Sequence, residues 1–146
     1  MRFADLAAAF ALASTFACAA PAPVLRDSTT TAAASCPWAD SLDAVAAAPG
    51  NHKVLVENAR VRVLDVTVAP GEREPLHAHC RPSVMYLMYE GRYRDYDAQG
   101  KVAAEVLTAA PDSTFPITLW LEPQAPHAVQ NLDSRPVRLL RVELKQ

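Results

Sequence analysis

The fold of this chain is most apparent in the stretch GEREPLHAHCRPSVMYLMYEG, residues 71–91. It begins at a turn and places His77 and His79 on either side of one alanine. Side chains alternate between the two faces of a strand, so both imidazoles point to the same face, about 7 Å apart at their bases. Two neutral imidazoles at this spacing can converge on one metal ion, and a solvated strand face is the alternative reading of such a doublet.

From Asn51 to the end of the chain, the sequence consists of short β-type segments separated by turn signals. The segments include KVLVE, VRVLDVTV, VMYLMYE, ITLWLE and VRLLRVEL, with turns such as APGE, DAQG and PQAP between them. No helix-length periodic segment interrupts them. About eight strands predict an all-β domain at residues 39–146, built as a sandwich or a small barrel.

The charge balance excludes two classes of function. The chain has 146 residues, with 14 Lys or Arg against 16 Asp or Glu and a net charge of −2. It has neither the basic stripe that nucleic-acid binding requires nor a polybasic patch for a membrane surface. We therefore expect no nucleic-acid partner, and the length fits one domain with flanking sequence.

Residues 1–20, MRFADLAAAFALASTFACAA, have the layout of a secretory signal peptide. Arg2 precedes an apolar run that ends near Cys18 and is too short to span a bilayer, so no transmembrane span is expected. Cleavage after Ala19 or Ala20 predicts export to the periplasm or the extracellular medium. The alternative is a lipoprotein, in which Cys18 is acylated and anchors the chain to a membrane.

The segment between the signal peptide and the β region divides into two parts. Residues 21–38 are mostly Pro, Ser, Thr and Ala with little to bury, and they predict a flexible linker. The following DSLDAVAAAPG predicts a short helix that has Asp40 or Ser41 as its N-cap and ends at the Pro-Gly pair.

Cleavage of a signal peptide would leave Cys36 and Cys80 in the mature chain. In an oxidising compartment, two remaining cysteines favour a disulfide between them. Two free thiols, one near the flexible start and one beside the histidines, are the alternative.

Two motifs in the β region resemble those of the cupin family. The stretch at residues 71–91 is similar to the first cupin motif, G-x5-H-x-H-x3–4-E-x6-G. The residues in register are Gly71, His77, His79 and Gly91. The stretch PQAPHAVQN is similar to the second motif, in which a proline turn leads to H-x3-N. Its matching residues are Pro123, His127 and Asn131. The resemblance implies a jelly-roll β-barrel of two antiparallel sheets, with metal and substrate held inside.

The resemblance implies a metal site of three histidines, His77, His79 and His127, but without the usual cupin glutamate. No acid lies between His79 and Glu90, and Val84 stands at the expected position. Losing the carboxylate leaves less charge to offset a cation and a more open coordination sphere. A divalent Fe, Mn, Ni or Zn ion suits three imidazoles. The alternative is a degenerate cupin that binds no metal.

The cupin resemblance also places the strand VMYLMYE on the barrel wall. With Val84 facing inward, alternation predicts that Tyr86 and Met88 face inward too. The predicted ligand-binding residues are Val84, Tyr86, Met88 and Asn131. The candidate catalytic residues are Tyr86, as a phenol donor, and Arg81, as an anion-binding group; core packing and a plain surface arginine are the alternatives. His52 lies outside both motifs and is predicted to be structural.

Several functions fit this sequence. The first is an exported small cupin that binds a metal and a small molecule in its barrel, as a metal-dependent dioxygenase, isomerase or decarboxylase. The second is a non-catalytic ligand-binding sensor or carrier, and the third a structural cupin with a metal-free site. Small cupins often pair through sheet edges, so a homodimer is expected. The fold alone does not choose among these functions, and enzyme status stays open.

Overall fold

The computed structural model of the protein describes residues 36–145. The predicted signal peptide at residues 1–20, the lipidation candidate Cys18 and most of the predicted linker at residues 21–38 lie outside the described residues. Within the described part of the chain, none of the helices has the length and apolar character needed to cross a membrane.

The described residues form nine strands, one short helix and two 3₁₀ turns. The strands are β1 (His52–Glu57), β2 (Val61–Val68), β3 (His77–His79), β4 (Ser83–Tyr89), β5 (Tyr93–Asp97), β6 (Val102–Val106), β7 (Ile117–Leu121), β8 (Gln124–Asn131) and β9 (Val137–Leu144). The helix α1 spans Ala44–Ala47, and the 3₁₀ turns span Asp40–Leu42 and Asp112–Thr114. The all-β prediction is confirmed.

The strands form two antiparallel sheets that face each other. One sheet has five strands in the order β1-β2-β9-β4-β7, and the other has four in the order β3-β8-β5-β6. Strands that are distant in the sequence lie side by side in both sheets, as a jelly roll requires. The two predicted histidine segments become direct neighbours, because β3 pairs with β8 and His77 lies opposite His127.

The pairing of β2 with β9 defines the barrel interior. Every second residue of β2 is buried, beginning with Arg62 and ending with Val68. On the inner side, Val68 lies opposite Val137, and Arg62 lies opposite Glu143. One end of the barrel is therefore apolar, with Val68, Val137 and Leu87 packed together. Burying a leucine of this kind contributes about 1.5 to 3 kcal/mol. The other end contains buried charges.

The helix α1 is attached to the charged end of the barrel. The Asp43 side chain caps the helix by accepting a hydrogen bond from the backbone N–H of Val45 at 3.1 Å. The same carboxylate accepts two hydrogen bonds from Arg62, at 2.8 and 2.7 Å. The predicted N-cap, Asp40 or Ser41, is wrong because both residues lie in the preceding 3₁₀ turn.

A disulfide connects the chain just before this 3₁₀ turn to the end of β3. It joins Cys36 to Cys80, whose Cα atoms are 5.1 Å apart. Because Cys80 directly follows His79, the bond ties the start of the described chain to the histidine-bearing strand.

Candidate metal centre

All four histidines of the chain line one cavity inside the barrel, with a volume of about 240 Å³. The centroid of the His77 ring lies 4.5 Å from that of His52, 4.6 Å from that of His127 and 5.1 Å from that of His79. The imidazoles therefore form one contiguous cluster with His77 at its centre. The four residues come from three strands, β1, β3 and β8.

Three of these histidines are placed so that they can hold one metal ion. His52, His77 and His79 each offer a nitrogen, and these three nitrogens lie within 4.8 Å of one another. All three side chains are buried. His127 adjoins this group through His77 and is partly exposed. Of the three predicted ligands His77, His79 and His127, the first two belong to this group, and its third member is His52, which the motifs did not include.

His52 reaches the cavity because of its register in the five-stranded sheet. It is the first residue of β1 and lies opposite Val66, which faces the interior from β2. His52, which was predicted to be structural, therefore lies in the cavity beside His77 and His79. The sequence showed only that His52 begins a strand. Which face of the sheet its side chain occupies depends on the pairing of β1 with β2, which the sequence does not specify.

The hydrogen bonds of the four rings fix which nitrogen is free. In every ring, Nδ1 faces an oxygen that can only accept a hydrogen bond. These acceptors are the Ala48 carbonyl for His52 at 3.3 Å, the Pro75 carbonyl for His77 at 2.9 Å, Glu143 Oε1 for His79 at 2.8 Å and the Ala125 carbonyl for His127 at 2.8 Å. Nδ1 must therefore carry the proton, which leaves the lone pair on Nε2. This is the outer-shell arrangement that orients histidine ligands of metals.

The interior keeps these imidazoles neutral. Burial, with a contribution from neighbouring charges, lowers the pKa of His52 to about 4 and that of His77 to about 3. Burial also lowers the pKa of His79 and of His127. A histidine must be unprotonated to bind a metal, so all four rings are in the binding form at neutral pH.

The buried ion pair of Glu143 and Arg62 orients the His79 ring through a hydrogen bond to its Nδ1. Glu143 is fully buried, and its Oε2 accepts a hydrogen bond from Arg62 Nε at 2.6 Å while its Oε1 accepts one from His79. Arg62 in turn binds Asp43 at the helix. The usual cupin glutamate is missing from this chain, in which Val84 takes its position. A different carboxylate, that of Glu143 on β9, accepts the hydrogen bond from Nδ1 of His79.

Other ionisable groups line the rest of the cavity. Burial raises the pKa of Glu74 to about 8 and that of Glu90 to about 7, and it raises the pKa of Asp95 as well. Burial lowers the pKa of the Arg141 guanidinium to about 10, so this group stays charged at neutral pH. The apolar wall comes mainly from the five-stranded sheet: Val66, Val68, Met85, Leu87, Ile117, Leu119, Leu121, Val137 and Leu139.

The predicted inward face of β4 is wrong. Met85 and Leu87 line the cavity, whereas Val84, Tyr86 and Met88 do not, and Tyr86 is 42% exposed. The expected face followed from placing Val84 at the position of the cupin glutamate, in register with Gly91. A register irregularity between Leu87 and Tyr89 shifts the alternation by one residue, so the residues before it face the opposite way from that expectation. The same irregularity turns Glu90 toward the cavity.

Asn131 and Arg81 are also placed away from the cavity lining. The Asn131 amide donates hydrogen bonds to the carbonyls of Val68 and Arg135 at 3.0 and 2.8 Å, and its oxygen accepts one from the Asp133 N–H. Both of its N–H groups are therefore used to hold backbone segments in place, and its side chain is fully buried away from the cavity lining. Arg81 lines a separate surface groove beside the disulfide, with its side chain 35% exposed.

Solved structures with a similar fold identify the architecture. A cupin domain from Bordetella pertussis Tohama I is 20% identical to this chain, and the match covers 65% of this chain and 92% of that one with a TM-score of 0.51. The fold is that of the cupins. An RmlC-like cupin family protein from Methanocaldococcus jannaschii is 13% identical over 64% of this chain and 77% of that one, with a TM-score of 0.45.

A further similar structure is a protein with a double-stranded β-helix domain from Klebsiella pneumoniae. It is 17% identical over 66% of this chain and 78% of that one, with a TM-score of 0.46. No protein-family model matches the chain, and no curated protein matches it. The similarity to the Bordetella structure shows the cupin fold alone, and a fold does not determine a function.

The donor set of this cupin fold fits a transition-metal ion. Imidazole nitrogens suit Zn, Fe, Cu and Ni, and three of them with an open position form a sound catalytic or binding site. The three clustered nitrogens, the neutral rings and the Nδ1 acceptors all meet that requirement.

Proposed function

We propose that this protein is a metal-dependent cupin that binds a small molecule inside its barrel. His52, His77 and His79 would hold a divalent Fe, Mn, Ni or Zn ion, with His127 beside them. The observation that carries the proposal is the convergence of three buried histidine nitrogens within 4.8 Å of one another. A metal there would supply Lewis-acid chemistry toward a substrate oxygen, as an isomerase or decarboxylase requires, or, as a redox-active ion such as Fe or Mn, chemistry with dioxygen, as a dioxygenase requires.

The surrounding residues would prepare the site for that chemistry. The acceptors at Nδ1 fix the orientation of each ring, and the apolar wall limits the access of water to the bound molecule. At about 240 Å³, the cavity lies below the range for drug-sized ligands, so the molecule it accepts is small. Glu90, whose pKa burial raises to about 7, is the cavity carboxyl best suited to exchange a proton near neutral pH.

Metal analysis tests this proposal directly. The protein is purified without an affinity tag, reconstituted with Fe, Mn, Ni or Zn, desalted and assayed for metal by mass spectrometry. We expect a stoichiometric ion in the wild type and in Tyr86→Phe, a control on the outer face of β4, and none in His77→Ala. A wild-type protein that retains none of the four metals would refute the proposal.

A metal-free ligand-binding cupin is the second candidate, and one observation favours it. Arg141 is buried in the same cavity and its charge lies close enough to lower the pKa values of all four histidines. A fixed positive charge there disfavours a cation and favours an anion. If the wild type retains no metal, this second function is the one to pursue.

We further propose that the protein is exported to the periplasm or the extracellular medium. The signal-like residues 1–20 and the disulfide between Cys36 and Cys80 support this location, because disulfides persist in oxidising compartments. Mass spectrometry of the mature protein distinguishes the outcomes. Cleavage after Ala19 or Ala20 would mean free export, a lipid on Cys18 would mean an anchor, and an intact Met1 would refute export.

A homodimer is the proposed assembly. The outer face beside the edge strand β7 exposes Trp120 and Tyr86, which are 55% and 42% exposed, and the opposite edge exposes Val56 on β1. Exposed apolar groups on sheet edges favour pairing. Light scattering after size exclusion tests it, and a monomer at all concentrations would rule it out.

A further inference from the structure

The cavity contains a buried guanidinium whose hydrogen bonds are incomplete. Arg141 lies on β9, is 4% exposed, and faces the interior between Leu64 on β2 and Met85 on β4. Its Nη1 donates to Gln124 Oε1 at 2.6 Å. Its Nε and Nη2 are buried without any hydrogen-bond partner among residues 36–145. A buried charged donor without a partner is costly, so such a group indicates a ligand.

The free atoms of Arg141 form a single recognition edge. Nε–H and one N–H of Nη2 are adjacent and parallel on the planar guanidinium, and this fork matches the two oxygens of a carboxylate. No carboxylate among residues 36–145 satisfies it, because neither Nε nor Nη2 has a hydrogen-bond partner there. The neighbouring Glu143 pairs instead with Arg62, His79 and Arg81. On the opposite side of the guanidinium, the hydrogen bond from Nη1 to Gln124 Oε1 fixes its orientation.

The position of Gln124 brings this edge next to the histidines. Gln124 lies on β8 directly opposite His79 on β3, and both line the cavity with Arg141. Arg141 therefore spans the gap from the five-stranded sheet to the four-stranded sheet and ends beside the cluster. A molecule held by the fork would have its remaining atoms facing the histidines and the apolar wall.

We propose that the cavity binds a small monocarboxylate through a bidentate contact with Nε and Nη2 of Arg141. The carboxyls of Glu74, Glu90 and Asp95 line the same space, and wherever one of them ionises it repels a dianion such as phosphate or a dicarboxylate more strongly than a monoanion. The wall of valine, leucine and isoleucine side chains suits an apolar body. This inference deepens the proposed function by naming the class of ligand, and it rests on that function for the small-molecule site but not for the metal.

The test uses metal-free protein, because a carboxylate could otherwise bind an ion directly. Butyrate and its neutral isostere butyramide are titrated by calorimetry into chelator-treated wild type, Arg141→Lys and the matched control Arg138→Gln. Arg138 lies on the same strand but on the outer face, with its side chain 47% exposed. We expect butyrate to bind the wild type and the control alike, at least about 10-fold tighter than butyramide.

The Arg141→Lys variant keeps the charge but loses the fork, so we expect butyrate to bind it about 10- to 100-fold more weakly. In the wild type, ¹⁵N NMR should show butyrate shifting the Arg141 Nε–H resonance while butyramide does not, which keeps the proposal testable if the variant does not fold. The proposal would be overturned if the wild type bound butyramide or sulfate as tightly as butyrate. It would also be overturned if Arg141→Lys bound butyrate with the affinity of the wild type.

The two proposals fail separately. Butyrate binding through Arg141 in a protein that never retains metal would leave the carboxylate site standing and refute the metal centre. A wild type that binds stoichiometric metal but does not prefer butyrate over butyramide would support the metal centre and refute the carboxylate site.

Discussion

Glu143 Oε1 lies 2.8 Å from Nδ1 of His79 and connects the histidine cluster to a buried ionic network. The carboxylate accepts a hydrogen bond from Nδ1–H, which keeps the proton on Nδ1 and leaves the lone pair of Nε2 free for a metal. In Glu143→Gln, the amide can turn its N–H groups toward the His79 ring, so Nδ1 is no longer held as the protonated nitrogen. We expect Glu143→Gln to weaken zinc binding about 10- to 100-fold, measured by competition with a chromogenic chelator. Glu122→Gln, on the exterior, is the control, and equal affinities would contradict the account.

Arg62 joins Glu143 to Asp43 and so connects the barrel to α1. Removing the guanidinium in Arg62→Met leaves a buried carboxylate without its counter-charge, which typically costs about 3 to 5 kcal/mol. Urea unfolding followed by circular dichroism measures the loss. Arg60→Met, in the exposed turn two residues earlier, should leave the free energy of unfolding nearly unchanged. A loss of equal size in both variants would remove the special role assigned to Arg62.

The disulfide should contribute to stability. It closes a loop with a sequence separation of 44, and a constraint of that length stabilises a folded domain by about 2 to 4 kcal/mol. We expect the double variant Cys36→Ser and Cys80→Ser to unfold at correspondingly lower urea concentration. A reductant should lower the stability of the wild type and leave the double variant unchanged. Equal stability of the two proteins would show that the bond contributes nothing.

Glu90 gives the stability of the protein a dependence on pH. Burial, with a smaller contribution from Asp95, raises the pKa of Glu90 from 4.5 to about 7 in the folded state. Between those values the folded state holds the proton and the unfolded state does not, so stability falls as the pH rises from 4.5 to 7. Above pH 7 the full cost remains, on the order of 3 kcal/mol.

The Glu90→Gln variant isolates this effect from the other buried carboxyls. Because the amide cannot ionise, the stability of the variant relative to the wild type should be lowest near pH 4 and should rise by about 3 kcal/mol up to pH 7. Urea titrations at a series of pH values provide the difference. A flat difference for Glu90→Gln would mean that Glu90 ionises freely in the folded protein.

The sequence was sufficient for the fold and for the core of the site. Alternation in VRVLDVTV and the turn signals around it follow from local chemistry, and β2 matches the segment residue for residue. The His-x-His spacing places His77 and His79 on one strand, and the second motif brings His127 opposite His77. These features depend on short stretches whose geometry is locally determined.

The remaining features of the site depend on pairing between distant strands. The strand VRLLRVEL has apolar residues on both faces, so its sequence could not show that Arg141 and Glu143 face inward. The irregularity in β4 changed which face Tyr86 occupies, and the register of β1 with β2 brought His52 to the cluster. No local pattern encodes those registers.

The ligand set of the proposed metal centre tests the central claim, which is that His52 is the third imidazole ligand beside His77 and His79. X-ray absorption at the zinc edge of zinc-loaded wild type and His52→Ala measures the ligand shell directly. We expect the wild type to show imidazole nitrogens at about 2.0 to 2.1 Å and His52→Ala to lose the scattering of one imidazole. An identical imidazole signal in the two proteins, or no bound zinc in the wild type, would contradict the account.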